Sequence, residues 1–114
     1  MSNHFIFVYG TLKQGKGNNY LLCNDTFLKE DTVKGRMYNL GNYPAVTYGD
    51  DIIHGELWRI SKHSLLKLDR LEGVPYLYQR IKTKTSDGRI VWIYIQGHLS
   101  LPERAKYLPS GIWE

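Results

Sequence analysis

The stretch VYGTLKQGKGNN, residues 8–19, admits two readings that lead to different folds. From Gly10 to Lys16 it spells G-x-x-x-x-G-K, the pattern of a phosphate-cradling loop. Gly17, however, stands where a Ser or Thr hydroxyl would hold Mg²⁺. Such a loop calls for a long helix immediately behind it, aiming its N-terminus at phosphate, within alternating strands and helices. In the second reading HFIFVY (4–9) is a strand ended by Gly10. The informative letters are then Y-G-T-L, and the later glycines are ordinary loop.

The chain beyond the loop decides between them. NNYLLCN (18–24) suffices for a short helix only, and no long amphipathic helix follows. TVKGRMYNL (32–40) reads as a strand and GNYP (41–44) as a turn. AVTY is a short strand, Asp50-Asp51 turns the chain, and IIHGELWRI (52–60) is the next strand. KHSLLKLDRLE (62–72) has helical periodicity, with Ser61 as N-cap, Gly73 as the stop and Pro75 just beyond. YLYQRIKTKT and RIVWIYIQG flank Ser86-Asp87-Gly88, a hairpin signal, and ERAKYL (103–108) is expected to form a last short helix. Strands outnumber helices without regular alternation. The expected class is α+β with a strand-built core, and the phosphate-loop reading fails.

Composition bounds the rest. A chain of 114 residues, 42% apolar, is expected to be one globular domain over residues 1–114. The formal charge of +4 permits an acidic partner, but Lys and Arg form no run, so no nucleic-acid binding is expected. Nine tyrosines imply phenol hydroxyls that need partners inside the fold. The single cysteine, Cys23, excludes an internal disulfide and a Cys-rich zinc site, and is expected to be buried and inert. No apolar run approaches a membrane span, and the first residues carry no basic region of a signal peptide, so a cytoplasmic protein is expected.

Candidate chemistry is sparse. His54 and Glu56 lie two apart on a strand, but His4, His63 and His98 show no matching ligand spacing, and no metal site is expected. Lys82, Lys84 and Arg89 could form a basic hairpin face, although Lys alternating with Thr more often marks a solvated one. Glu72 differs. At about 100° per residue, Leu65, Leu66, Leu68 and Leu71 define a buried side whose mean direction lies within roughly 25° of Glu72. Asp69 lies on the flank. A carboxyl on the apolar side, at the negative end of a helix, has both desolvation and the dipole against its ionisation. A raised pKa suits general acid–base work; a helix frayed before Glu72 would instead leave it on the surface.

FVYGTLKQGKGN (7–18) together with LDRLEGVPYLYQR (68–80) resembles the gamma-glutamylcyclotransferase-like family, with most similarity to the branch acting on gamma-glutamylamines. GELWRI (55–60) also resembles the family's strand before the helix, whereas Gly73 and the C-terminal third depart from the pattern. The resemblance implies a small barrel of mixed strands with flanking short helices and a catalytic glutamate at Glu72. It also implies a substrate-binding loop at Tyr9, Gly10, Thr11 and Leu12. The implied reaction is attack of a gamma-glutamyl amide's α-amine on its own γ-carbonyl, closing 5-oxoproline and expelling the attached amine, with no cofactor. Glu72 would move the protons. The loop amides would grip the α-carboxylate, with a bare Gly10 permitting close approach. Three alternatives stay open: a relative with another reaction on a similar ligand, a non-catalytic small-molecule-binding protein, and an RNA-binding barrel. The expected partner is a small gamma-glutamyl substrate, with the protein a monomer or small homo-oligomer.

Overall fold

In a computed structural model, which describes residues 3–114, six strands form one curled mixed sheet with a single α-helix against it. The strands are β1 (Asn3–Val8), β2 (Thr26–Asn39), β3 (Pro44–Ser61), β4 (Tyr78–Lys84), β5 (Ile90–Gln96) and β6 (Lys106–Leu108); the helix is α1 (Lys62–Leu71). Their order across the sheet is β4-β5-β1-β3-β2-β6. β1 pairs parallel with β5 and antiparallel with β3, which makes it the central strand. The remaining pairs are antiparallel.

The centre of β1 is apolar throughout because both its faces are covered. Phe7, with Tyr9 just beyond the strand, joins Met37, Ile53, Leu57 and Ile93 inside the curl. Ile6 and Val8 face the other way, onto Trp58, Ile60 and the helix residues Leu65 and Leu68. Alternation along one strand therefore feeds two cores. It also delivers the chain after Val8 to the rim of the sheet.

Helix α1 begins as expected, with the Ser61 side chain accepting from the Ser64 amide at 3.1 Å. Gly73 ends it in the left-handed region (φ +62°), and its amide donates to the Arg70 carbonyl. Glu72 is the C-cap rather than the last helical residue. The buried side is narrower than the wheel predicts. Leu65 and Leu68 are covered, but Leu66 and Leu71 are exposed.

Four other expectations change. β2 starts at Thr26, six residues before the predicted strand at Thr32, because Thr26 and Phe27 pair with Arg59 and Trp58 and Phe27 packs edge-on against Trp58. Asp50-Asp51 makes no turn between strands. β3 runs through, and the ladder steps from Gly35↔Asp51 to Arg36↔Thr47 across a bulge. Glycines allow that close bend, since a Cβ at Gly49 would sit 2.9 Å from that of Arg36. ERAKYL holds no helix: its end is β6, paired with β2 and secured by Tyr107 beneath Arg36, 4.1 Å from ring centroid to guanidinium. A six-residue segment gains too few helical bonds to resist that pairing. Cys23 is exposed, not buried: it is the C-cap of the short 3-10 helix Asn19–Leu22, of which Leu22 is the buried residue.

Candidate active site

The loop after β1 and the end of α1 meet across one cavity of about 420 Å³. Tyr9, Gly10, Thr11, Leu12 and Glu72 all line it, together with Tyr78 and Tyr94. Residues more than sixty positions apart are thus brought to one place.

The loop is tied down by its own hydrogen bonds. The Lys13 amide donates to the Gly10 carbonyl at 3.1 Å, and the Asn18 amide to the Thr11 carbonyl at 2.9 Å. Asn18 Nδ2 donates to Thr11 Oγ1, and Asn19 Nδ2 to the Leu12 carbonyl, each at 2.9 Å. Buried Glu56 accepts from the Gln14 amide and from Trp58 Nε1 through the same oxygen, at 3.0 and 3.1 Å. That gives Glu56 a structural task, and His54 beside it is exposed. Among the described residues no three His, Cys, Asp or Glu side chains cluster as a metal set.

The lysines of the apparent phosphate pattern face away from the cavity. Lys13 Nζ donates to the Trp113 carbonyl at 2.8 Å, and Lys16 Nζ lies 5.4 Å from the centre of the Trp113 ring. Gly10 is constrained by packing: a Cβ there would meet Pro44 Cγ at 2.7 Å. The packing of the protein itself therefore gives a steric reason for a bare residue at this position.

Burial raises the Glu72 carboxyl from its ordinary 4.5 to about 7. Three phenols share its surroundings, and each has its proton committed elsewhere. Tyr9 donates to the Tyr94 carbonyl at 2.6 Å, Tyr78 to the Pro44 carbonyl at 2.6 Å, and Tyr94 to Asp69 Oδ1 at 2.7 Å. Burial pushes all three upward in pKa, with the nearby Glu72 charge adding to it, so they stay neutral. Asp69 also accepts from Arg80 through Nε at 2.8 Å and through a terminal guanidinium nitrogen at 3.0 Å. Asp69 is thus bound up in a network, while Glu72, three residues on, faces the cavity. Sequence reasoning left Tyr94 out, and nothing in IVWIYIQ marks it apart from core residues. Tyr78 and Arg80 lay inside the quoted LYQR segment without an assigned task.

A six-stranded curled mixed sheet with one helix against it is the AIG2-like fold. A crystal structure of an aig2-like protein from Mus musculus superimposes with a TM-score of 0.87 at 22% identity, covering 100% of this chain and 90% of that one. Residues 6–114 match the family described as "Gamma-glutamyl cyclotransferase, AIG2-like". The chain belongs to that family and is a gamma-glutamylcyclotransferase-type enzyme. A protein of Vibrio cholerae serotype O1 is 39% identical over 94 residues, 81% of either chain. The gamma-glutamylaminecyclotransferase of Rattus norvegicus is 32% identical over 88 residues, 66% of this chain and 58% of that one. Among the described residues no helix is long and apolar enough to cross a membrane.

Proposed function

We propose that the protein converts a gamma-glutamyl amide to 5-oxoproline and a free amine, with Glu72 as general base and then general acid. The observation that carries this reading is the Glu72 carboxyl, raised to about 7 by burial, in the same cavity as Tyr9–Leu12. A group near its midpoint at neutral pH takes and returns protons with equal ease.

The substrate's α-ammonium binds beside ionised Glu72 and gives up a proton to it. The freed amine attacks the γ-carbonyl carbon, forming a C–N bond and a tetrahedral oxyanion. As the carbonyl re-forms, the bond to the original amide nitrogen breaks. The proton on Glu72 passes to that nitrogen, which leaves as an amine. The second proton of the attacking nitrogen is taken by Glu72 as the lactam N–H forms and passes on to the departing amine as ammonium, which returns Glu72 to its ionised form. Atoms and charge balance without an outside reactant, because the nucleophile is tethered within the substrate at high effective molarity. The α-carboxylate lies against the loop. There the Lys13, Gln14, Lys16, Asn18 and Asn19 amides are already used as donors within the protein, and those of Thr11 and Leu12 stay free for a ligand among the described residues.

The test is to incubate the protein with a panel of gamma-glutamyl amides and measure 5-oxoproline and released amine in equal amounts. A panel that yields none removes cyclisation and leaves only a binding cavity.

A further inference from the structure

We propose that Asn18 is a positioning residue: by donating to the hydroxyl oxygen of Thr11 it turns that hydroxyl's one proton into the cavity, as a donor to the substrate's α-carboxylate. This rests on the cyclisation reading, in which the loop holds that carboxylate, and it gives a task to a residue beyond Tyr9–Leu12.

Thr11 and Asn18 lie seven positions apart, and both line the cavity. The chain between them is a tight return. The Lys16 amide donates to the Lys13 carbonyl at 3.0 Å, and Gly15 takes the left-handed conformation (φ +81°) that a β-carbon disfavours. The second glycine of the apparent phosphate pattern thus serves to bring Asn18 back onto the start of the loop. Two bonds of 2.9 Å fix it there: the Asn18 amide donates to the Thr11 carbonyl, and Asn18 Nδ2 donates to Thr11 Oγ1.

A threonine hydroxyl has one proton to give and two lone pairs to receive with. The Asn18 side chain fills an acceptor position, so the proton points elsewhere. Among the described residues no protein acceptor takes it. The phenols of Tyr9, Tyr78 and Tyr94 differ, since each spends its proton on a protein oxygen. The Thr11 and Leu12 amides are the loop's other uncommitted donors. No lysine or arginine lines the cavity, so an anion inside it is held by hydrogen-bond donors alone. Three donors on two adjacent residues suit the two oxygens of a carboxylate, and a charged acceptor makes each bond stronger than a neutral one.

The probes are 5-oxoproline, which keeps the α-carboxylate, and 2-pyrrolidinone, which lacks it. Both are titrated into the parent, Thr11→Val, Thr11→Ser, Asn18→Ala and the double variant Thr11→Val with Asn18→Ala. The parent should bind 5-oxoproline more tightly than 2-pyrrolidinone. Thr11→Val should weaken 5-oxoproline about tenfold or more and leave 2-pyrrolidinone within about twofold. Thr11→Ser, which keeps the hydroxyl, should restore most of that loss. Asn18→Ala keeps the backbone bond but frees the hydroxyl to rotate, and should weaken 5-oxoproline about three- to tenfold. In the Thr11→Val background the same change should cost less than about twofold, because its target is gone. In turnover, Asn18→Ala should raise KM with kcat nearly kept. Equal losses from Asn18→Ala with and without the Thr11 hydroxyl would overturn the inference, by showing that Asn18 holds the loop and not the proton. Unimpaired 5-oxoproline binding in Thr11→Val, or an equal loss for 2-pyrrolidinone, would overturn it too. Those results leave cyclisation intact, because release of 5-oxoproline from gamma-glutamyl amides reports it separately. A parent that neither binds nor releases 5-oxoproline loses both readings.

Discussion

Replacing Glu72 by Gln should abolish most turnover and at the same time stabilise the protein, by an amount that depends on pH. The side chain keeps its size and its place in the cavity wall. What it loses is the ionisable oxygen. Moving the carboxyl from 4.5 to about 7 corresponds to about 3 kcal/mol by which the folded state disfavours the charge, at roughly 1.4 kcal/mol for each pH unit. The sign follows from linkage. The folded pKa lies above the unfolded one, so the folded state holds the proton more tightly. The parent's stability on account of this group is therefore greatest below 4.5, declines as pH rises, and levels off above about 7. Gln mimics the protonated acid at every pH. Denaturant unfolding of both proteins should thus give nearly equal stabilities near pH 4, and a gap opening to about 3 kcal/mol near pH 8.5 in favour of the variant. In a chain of 114 residues that gap corresponds to roughly 10 °C in Tm. Loss of a general base costs about 10² to 10⁴ in rate, read as 5-oxoproline formed. A stability gap that does not change with pH would refute the buried charge. Near-parental turnover would remove Glu72 from proton transfer.

Other outcomes follow from neighbouring contacts. Asp69→Asn removes the charge that Arg80 and Tyr94 hydrogen-bond. Stability should fall by about 1–3 kcal/mol, with a smaller loss of turnover than in Glu72→Gln; melting temperature and 5-oxoproline rate together check this. Gly10→Val brings a branched side chain to where even a Cβ meets the Pro44 ring at 2.7 Å. Stability should drop by about 1–3 kcal/mol, and turnover should fall too, because Pro44 is a cavity wall and accepts from Tyr78; an unaffected Tm would show that the ring is free to move. In the parent, kcat/KM should rise with pH and level off above about 7 as Glu72 ionises, a limb that a pH–rate profile of Glu72→Gln should lack. Turnover should survive EDTA, since the nucleophile is the substrate's own amine; loss that Zn²⁺ or Mg²⁺ restores would sink the mechanism.

Local order was legible in the chain itself. HFIFVY announced a strand ended by Gly10, Ser61 and Gly73 bounded the helix, and Ser86-Asp87-Gly88 marked the hairpin, where Gly88 has φ +84°. These signals are local because capping, turn geometry and side-chain periodicity act over a few residues. The same periodicity pointed to Glu72, and the quoted motifs pointed to the loop that faces it. What failed locally was whatever a distant partner decides. Residues 106–108 became a strand because β2 offered an unpaired edge, and the expected turn at Asp50 became a bulge because β2 bends with β3. Leu66 and Leu71 have the periodicity of core residues, but the sheet beneath the helix reaches only Leu65 and Leu68.

Sequence by itself determined which residues could carry the chemistry: a carboxyl on the apolar side of a helix end and a glycine loop behind a strand. Tertiary structure alone decided their environment. It turned Lys13 and Lys16 toward Trp113, committed the phenol protons of Tyr9, Tyr78 and Tyr94, and bound Asp69 to Arg80. Burial and charge are sums over neighbours that lie far apart along the chain, so Glu72 acquires its raised pKa only once β1, β4, β5 and α1 have closed around it.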